Sequence, residues 1–501
     1  MLRCGIVLWG LTVVAVPAWA QDGDAPVEPS TADLVSTQHS ITLDGEKLDY
    51  TATAGLMPMR DESGELMATI FHIAYTLDGV EDPSQRPVTF VFNGGPGSSS
   101  VWLHMGAIGP VRVLMTDEGE ALPPPATMVE SEGSWLGATD LVFIDPVGTG
   151  YSRPAEGHDQ SEFSGLDEDA ASVGEFIRLW ITQNERWLSP KFLAGESYGT
   201  TRAAALARHL QSRHDLYING VILISSILDF QTARFDVGND LPYALFLPTY
   251  TATAWKHGRL PRDLQDDLQR ALRESESFAL GDYWTALAKG DGLSEEDENA
   301  IARQLARLTG LDESYVRQSN LRIQIGRFCK ELRRDERLTV GRLDSRFTGV
   351  DADAAGERYE YDPSMAAISG PYAAALNDYV RRDLEFESDL PYEILTGRVH
   401  PWRWGSESDQ GYANVAADLR RAITQNPHLQ VHIASGYYDL ATPYFATEYT
   451  VSHLGLEPQH RGNISISYYE SGHMMYIHKP SLIKLREHAV AFIENAAHAN
   501  D

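Results

Sequence analysis

The hydrophobic pattern of the chain consists of short apolar runs, each followed at once by a glycine-rich or polar segment. The runs lie at residues 87–92, 141–144, 192–194 and 220–225. Continuous apolar runs of this length are typical of strands buried on both faces of a parallel sheet. Helical periodicity lies between them, for example over residues 167–184. Strands that alternate with helices predict an α/β fold with a mostly parallel central sheet, whose ligands bind at the carboxyl ends of the strands.

Residues 39–77 have a different pattern, in which apolar and polar side chains alternate. A period of two predicts antiparallel strands with one buried face. Asp44-Gly45 is a turn signal typical of a tight hairpin, and residues 61–64 give a second turn signal. We therefore expect residues 39–77 to form antiparallel strands.

The pattern changes again between residues 241 and 385, where amphipathic helical segments replace strands. One such helix begins at Pro261, and another is capped by Ser294 with Asp297 and ends at Gly310. We interpret residues 241–385 as a mostly helical insertion, a cap domain over the sheet.

Strand signals return near the carboxyl terminus, at residues 428–434 and 464–469, and a final helix is predicted over residues 482–496. The α/β core is therefore expected in two parts, residues 37–240 and residues 386–501, on either side of the cap.

The first 20 residues have the three parts of a secretory signal peptide. Arg3 precedes an apolar run, and Ala18-Trp19-Ala20 provides a small-x-small cleavage site. The alternative is an uncleaved membrane anchor, but the run is too short to span a bilayer comfortably. We expect residues 1–20 to be removed, residues 21–36 to form a flexible leader, and the protein to be exported, hence periplasmic or secreted.

Composition limits the partners of the mature chain. The 501 residues are 43% hydrophobic, which is typical of a globular protein, and carry a formal net charge of −30. This charge argues against nucleic acid and anionic membrane surfaces as partners. Cys4 would leave with the signal peptide, so Cys329 is left without a partner for an intrachain disulfide. A packed thiol is the expected role of Cys329.

A candidate nucleophile lies where the run at 192–194 meets the next helix. Gly195-Glu196-Ser197-Tyr198-Gly199 matches the pattern G-x-S-x-G, and it falls between a predicted strand and a predicted helix. That context distinguishes a nucleophile elbow from a chance match in a glycine-rich loop. In an elbow, the serine oxygen stands at a helix N-terminus, where developing negative charge is stabilised.

A serine nucleophile needs a base, and the base needs an acid that orients it. Asp439 follows the predicted strand at 428–434, and His473 follows the one at 464–469. Their order after Ser197 is the order expected of this topology. The alternative, two loop residues with unrelated roles, does not explain both order and placement.

The glycine-rich segment Asn93-Gly94-Gly95-Pro96-Gly97 follows the strand at 87–92. Such a loop can offer a backbone N–H to an oxyanion, and we assign this role to the N–H groups of Gly95 and Tyr198. A phosphate-binding loop is the alternative, but no G-x-x-x-x-G-K-[ST] motif is present. No metal motif such as H-E-x-x-H occurs either, and no metal or organic cofactor is implied.

Five blocks together, residues 93–100, 145–152, 195–199, 436–439 and 472–474, resemble those of the serine carboxypeptidase family (peptidase family S10), and the chain looks like a bacterial, disulfide-free member. The resemblance implies an α/β-hydrolase that removes residues from the C-termini of peptides or proteins, with an acidic optimum. It implies that Ser197 is the nucleophile, His473 the base and Asp439 the orienting acid, with Gly95 and Tyr198 as the oxyanion hole.

The resemblance also implies that Asn93 and Glu196 bind the free carboxylate of the substrate. A carboxyl group recognises a carboxylate when it is protonated, which provides a physical reason for an acidic optimum. A plain helix N-terminal acid is the alternative interpretation of Glu196.

The chain departs from the family pattern at one expected carboxylate receptor. The family usually has a second glutamate where this chain has Ala107, and its usual cysteine in the glycine-rich block is Ser98. His104 lies one helical turn before Ala107, and we hypothesise that it supplies a cationic replacement, against the alternative of a packed histidine. The change at Ala107 keeps an esterase or acyltransferase as the runner-up function. A non-catalytic binding protein is a third alternative, against which the intact Ser197, Asp439 and His473 argue. Oligomeric state is left open.

Overall fold

The structure, a computed structural model, describes residues 34–405 and 411–497. Its strands are β1 (Val35–Leu43), β2 (Glu46–Arg60), β3 (Leu66–Leu77), β4 (Val88–Phe92), β5 (Val111–Val113), β6 (Met128–Glu130), β7 (Asp140–Ile144), β8 (Arg153–Pro154), β9 (Lys191–Glu196), β10 (Gly220–Ile224), β11 (Leu338–Val340), β12 (Thr348–Val350), β13 (Gln430–Gly436) and β14 (Ile464–Tyr469).

The helices are α1 (Val101–Leu103), α2 (Leu166–Gln183), α3 (Tyr198–His214), α4 (Leu241–Lys256), α5 (Arg262–Gln265), α6 (Leu268–Phe278), α7 (Trp284–Lys289), α8 (Glu295–Thr309), α9 (Glu313–Gln318), α10 (Ile325–Glu331), α11 (Pro363–Arg382), α12 (Ala416–Gln425), α13 (Tyr444–Ser452) and α14 (Lys479–Ala497). A π-helical turn, His104–Ile108, continues α1. None of the helices in the described part of the chain is both long and apolar enough to cross a membrane.

A single large sheet organises the molecule, with the strand order β1-β2-β3-β7-β4-β9-β10-β13-β14 and β8 paired to β3. The pairs from β1 to β7 are antiparallel. The pairs from β7 to β14 are parallel. The predicted mostly parallel sheet is therefore present, and the predicted antiparallel strands are its first three strands.

The local predictions agree with the structure to within a few residues, with one exception. Asp44-Gly45 forms the predicted hairpin turn between β1 and β2. β1 begins at Val35, so the last two residues of the predicted leader, 35 and 36, are strand. The strand starts earlier than predicted because Val35 already pairs with Ala54 of β2, and burial alternates along β1 from that residue onward. Residues 21–33 of the predicted leader and the predicted signal peptide, residues 1–20, lie outside the described residues.

Helices cover both faces of the parallel strands. In β9, Leu193 packs on the face shared with α2, α3 and α12, while Phe192 and Ala194 pack on the face shared with α11 and α14. Successive strand residues point to opposite faces, so a strand covered on both sides must be apolar throughout. This is the physical reason for the continuous apolar runs.

Helices α4 to α10 form an apolar cluster of their own, separate from the two clusters on the faces of the sheet. Tyr438 and Tyr444, which follow β13, also belong to it. The predicted caps of α8 are present: Ser294 accepts a hydrogen bond from the Asp297 N–H, and Gly310 ends the helix with φ of 70°. Cys329 is buried in this cluster, as expected of a packed thiol. Helix α11 packs on the sheet instead. The core and cap boundaries at 241 and 385 stay a prediction.

A buried ionic network ties the start of β7 to the loops before β4 and β9. Asp140 accepts from Arg86 Nε and Arg186 Nη1, both at 2.6 Å. The Arg186 guanidinium also donates to the carbonyl of Arg86 at 2.6 Å. Two guanidinium groups share one carboxylate here, so removal of that carboxylate leaves two poorly solvated cations.

We expect Asp140→Ala to lower the free energy of unfolding by about 3–5 kcal/mol, because it leaves buried charge without compensation. Asp49→Ala is the matched control, since Asp49 pairs with Lys47 at side-chain exposures of 62% and 65%. An exposed pair of this kind contributes less than about 1 kcal/mol. Urea unfolding of the three proteins measures both values, and equal losses for the two variants would contradict the argument.

Candidate active site

Ser197 lies in a sharp turn between β9 and α3, with φ of 61° and ψ of −129°. The turn brings backbone groups so close that a side chain would not fit on either flank. A Cβ on Gly195 would lie 2.2 Å from the Gly199 carbonyl oxygen, and one on Gly199 would lie 2.9 Å from the Phe92 carbonyl oxygen. The glycines of the G-x-S-x-G pattern are therefore a steric requirement of this elbow, and the strained serine is typical of a functional site.

Asp439 and His473 meet after the adjacent parallel strands β13 and β14. His473 Nδ1 lies 2.7 Å from Asp439 Oδ2. Asp439 is fully buried and also accepts from the N–H groups of Ala441 and Thr442, at 2.7 and 3.0 Å. Burial opposes protonation of His473, but the charge and hydrogen bond of Asp439 outweigh it and raise the His473 pKa above its usual value.

Ser197 and His473 line one cavity of about 600 Å³. The structure thus brings together the serine, histidine and aspartate predicted from three distant segments. An imidazole oriented by a buried carboxylate, in a cavity shared with an exposed serine hydroxyl, is the arrangement that supports nucleophilic catalysis.

The predicted oxyanion loop is pressed against the N-terminus of α3. A Cβ on Gly94 would lie 2.4 Å from the backbone nitrogen of Tyr198, so only glycine allows this approach. Gly95 has φ of 103°, in the region that favours glycine. Gly95 and Tyr198 both line the cavity beside Ser197.

The two residues predicted to bind a carboxylate contact each other. Asn93 Nδ2 donates to Glu196 Oε2 at 2.9 Å, and Asn93 Oδ1 accepts from the Leu103 N–H at 3.0 Å. Both side chains are buried and line the cavity. The Leu103 contact fixes the orientation of the Asn93 amide, so that its NH₂ group points to Glu196.

Tyr476 is a site residue that the sequence prediction missed. Its hydroxyl donates to Glu196 Oε2 at 2.6 Å. Its ring fits against Gly106, where a Cβ would lie 2.5 Å from Tyr476 Cε2. Gly106 precedes Ala107, the position where a second acid was expected. The sequence offered one indication of this role, since Tyr476 lies three residues after the predicted base His473. Only the fold shows that its hydroxyl points to Glu196.

Burial raises the pKa of Glu196 to about 7, although the nearby His473 and the hydrogen bonds from Tyr476 and Asn93 act in the opposite direction. The hydrogen bonds that Asn93 and Tyr476 donate to Glu196 both end on the same carboxyl oxygen, Oε2. The second carboxyl oxygen, Oε1, accepts none of the hydrogen bonds from the described residues. Glu196 is therefore a neutral hydrogen-bond donor at acidic pH and an anion at alkaline pH.

The hypothesis that His104 supplies a cation is wrong. His104 is buried, stacks on Phe143 with ring centroids 4.3 Å apart, and shares a 2.7 Å hydrogen bond with the Tyr75 hydroxyl. Burial lowers the pKa of His104 to about 3, so the ring is neutral at physiological pH. His104 begins a π-helical turn, and its ring packs in the apolar cluster that contains Tyr75 and Phe143. The ring does not line the cavity.

The fold and the site together define a class of protein: an α/β-hydrolase with a serine elbow, a histidine and an aspartate at the carboxyl ends of its parallel strands. The family model described as "Serine carboxypeptidase" matches residues 45–499. The chain therefore belongs to the serine carboxypeptidase family, and the resemblance found in its sequence blocks is confirmed.

Individual relatives agree with this assignment. The chain is 28% identical over 262 residues to the pheromone-processing carboxypeptidase KEX1 of Yarrowia lipolytica, covering 51% of this chain and 38% of that relative. It is 25% identical over 171 residues to serine carboxypeptidase-like 16 of Arabidopsis thaliana, covering 32% of this chain and 38% of that relative. The matched segments thus span well under half of these relatives.

A solved structure shows the same fold. The prohormone-processing carboxypeptidase Kex1 of Saccharomyces cerevisiae matches with a TM-score of 0.55 at 16% identity, over 89% of this chain and 91% of that chain. The predicted fold class, an α/β-hydrolase, is confirmed by this match.

We expect Tyr476→Phe to raise the pKa of Glu196 by about one pH unit or more, because the variant loses a hydrogen bond that stabilises the carboxylate form. Infrared difference spectra against Glu196→Gln would measure the titration of the protonated carboxyl band. Tyr372→Phe is the matched control, since Tyr372 lies near Glu196 but donates no hydrogen bond to it among the described residues. An unchanged or lowered pKa in Tyr476→Phe would contradict the assignment.

Proposed function

We propose that the protein is a serine-type carboxypeptidase that hydrolyses the last peptide bond of a peptide through an acyl-enzyme on Ser197. One observation carries the proposal: Glu196, a buried carboxyl group held by two hydrogen bonds, is the residue next to Ser197 and lines the same cavity. A group that binds the free C-terminus beside the nucleophile limits cleavage to the terminal bond. Family membership supports the same function.

In the proposed mechanism, Ser197 Oγ attacks the carbonyl carbon of the last peptide bond while His473 Nε2 takes the hydroxyl proton. The N–H groups of Gly95 and Tyr198 stabilise the oxyanion. His473 then gives its proton to the leaving nitrogen, and the C-terminal residue departs as a free amino acid. Water attacks the acyl-enzyme with the same base, which releases the shortened peptide and restores the Ser197 hydroxyl.

Asp439 holds the Nδ1–H of His473 throughout, so that Nε2 faces the cavity. Thr442 keeps the acid in place, since its hydroxyl donates to Asp439 Oδ2 at 2.7 Å and its N–H to Oδ1. An acid held from several sides does not rotate away when the imidazole becomes charged.

Carboxylate recognition makes the proposed activity favour acidic pH. Below the Glu196 pKa of about 7, the protonated carboxyl donates a hydrogen bond to the substrate carboxylate. Above that pH, Glu196 is an anion and repels the same carboxylate. Substrate binding is therefore expected to weaken as the pH rises through about 7.

We also propose that the protein acts outside the cytoplasm, after cleavage of the chain behind Ala20. The signal-peptide pattern in residues 1–20 supports this proposal.

A set of four substrates with the same blocked penultimate residue tests the function: a dipeptide with a free C-terminus, its amide, an ester and a peptide extended by one residue. We expect wild-type protein to cleave the free acid far faster than the amide, and to release the extended peptide one residue at a time. Ser197→Ala should lower kcat by about 10⁶-fold, because it removes the nucleophile.

The other outcomes each contradict the proposal in a different way. Equal cleavage of acid and amide would contradict carboxylate recognition. Rapid ester cleavage with inert peptides would favour the esterase or acyltransferase alternative that the missing acid at Ala107 keeps open. No turnover by wild-type protein would favour a binding function.

A second prediction concerns pH. For wild-type protein, KM for a free-acid peptide should rise by about tenfold per pH unit above about 7, the pKa to which burial raises Glu196. Glu196→Gln keeps a neutral donor at every pH, so its KM should be flat across this range. Glu494→Gln on the exposed face of α14 is the control and should keep the wild-type profile. A pH-dependent KM in Glu196→Gln would place the titrating group elsewhere.

A further inference from the structure

Arg342 is a cation of the cavity wall that the mechanism does not use. It is half-buried and lines the same cavity as Ser197 and His473. Its side chain makes no hydrogen bond and no ion pair within the described residues. Its neighbour Arg346, by contrast, pairs with Asp344 at 2.7 Å. Arg342 shares this lack of a carboxylate partner among the described residues with Arg234, the other arginine of the cavity wall, whose guanidinium lies over aromatic rings instead.

The cavity does not provide an anion of its own. Glu196 is the single carboxyl group among the described residues that line it, and the other ionisable side chains there are Tyr198, Arg234, Arg342, His400 and His473. Burial favours the neutral form of Glu196. A partly desolvated guanidinium gains most from a carboxylate ligand, which it can bind with two parallel hydrogen bonds. The missing partner of Arg342 is therefore expected to come from the substrate.

The position of Arg342 is fixed by its backbone. Its N–H donates to Asp362 Oδ1 at 3.1 Å, and its carbonyl accepts from the Leu440 N–H at 3.0 Å. The carbonyl of the next residue, Leu343, accepts from the His473 N–H at 2.7 Å. Arg342 is thus attached to the loops that carry the acid and the base.

Helix α11 connects the Arg342 side of the cavity with Glu196. Asp362 caps the start of α11, next to Arg342. Met365 and Ile368 then line the cavity along the helix, and the Tyr372 hydroxyl lies near Glu196. With Glu196 binding the terminal carboxylate as proposed, this wall lies along the leaving residue.

Arg234 is the second arginine that lines the cavity. Its guanidinium lies over the rings of Phe230 and Trp404, at 5.7 and 5.9 Å. Trp404 packs edge-on against Tyr198, with ring centroids 6.0 Å apart. Arg234 therefore provides a matched control for a cation in the same cavity.

We propose that Arg342 binds the side-chain carboxylate of a C-terminal aspartate or glutamate, so that the enzyme preferentially releases acidic residues. The inference rests on the proposed carboxypeptidase function. It names the substrate class of that same site, through a residue on the leaving side of the cavity.

Four blocked dipeptides that differ only in the C-terminal residue test the preference: glutamate, glutamine, leucine and lysine, at about pH 6 and physiological ionic strength. We expect wild-type protein to cleave the glutamate substrate with kcat/KM about 10-fold to 100-fold above the glutamine substrate, the range for a hydrogen bond to a charged group. Arg342→Gln should reduce this ratio to about 1 and leave the glutamine and leucine substrates nearly unchanged. Arg342→Lys should restore part of it, and Arg234→Gln should keep the wild-type ratio.

The outcomes separate this inference from the function on which it rests. Cleavage of all four wild-type substrates without a preference for glutamate would overturn the inference alone. An equal loss on every substrate in Arg342→Gln would assign Arg342 to the terminal carboxylate, or to the structure of the cavity, and would also overturn it. Cleavage of none of the four by wild-type protein, with esters still hydrolysed, would overturn the proposed function and the inference together.

Discussion

The active site depends on how closely three stretches of backbone approach one another at the end of β9. The turn at Ser197, the start of α3 and the loop after β4 meet at distances that exclude a Cβ at Gly94, Gly195 and Gly199. This contact places Ser197 on the wall of the cavity that Gly95 also lines. A larger residue at any of the three positions would move the nucleophile relative to the oxyanion donors, and displacements of about 1 Å are enough to reduce catalysis severely.

The same turn places two acids in different surroundings around one histidine. Asp439 is embedded among donors from Ala441, Thr442 and His473. Glu196 receives its hydrogen bonds at one oxygen, from Asn93 and Tyr476, and is otherwise desolvated. Because their environments differ, the two carboxyl groups can serve the two roles proposed for them, the orienting acid for Asp439 and the carboxylate receptor for Glu196. The second hydrogen-bond partner of Glu196, after Asn93, is the neutral hydroxyl of Tyr476 rather than a second carboxyl group. Glu196 therefore does not share its proton with another acid.

The predictions that held were those that depend on local chemistry. Apolar runs identified the buried strands, since any strand covered on both faces needs them, and Asp44-Gly45 identified a hairpin turn. The elbow, the acid and the base could be placed because each follows directly after a strand, and the carboxyl ends of parallel strands converge at one edge of the sheet. The family and the fold class followed from the same blocks of residues.

The predictions that failed, and the residues that were missed, depend on contacts between distant parts of the chain. The sequence places His104 one turn before Ala107, but its ring turns inward to Tyr75 and Phe143 because the buried face of the sheet lies there. Tyr476 reaches Glu196 across 280 positions of the chain, and Arg342 reaches the cavity from a loop tied to Asp362.

The sequence by itself thus determined the fold class, the order of the catalytic residues and the glycines that their geometry needs, because strand burial and turn sterics act between near neighbours. Only the tertiary structure decided which side chains face the cavity and which are paired. Side-chain direction and burial, and therefore the charge of Glu196 and the unpaired state of Arg342 among the described residues, arise only when distant segments pack together.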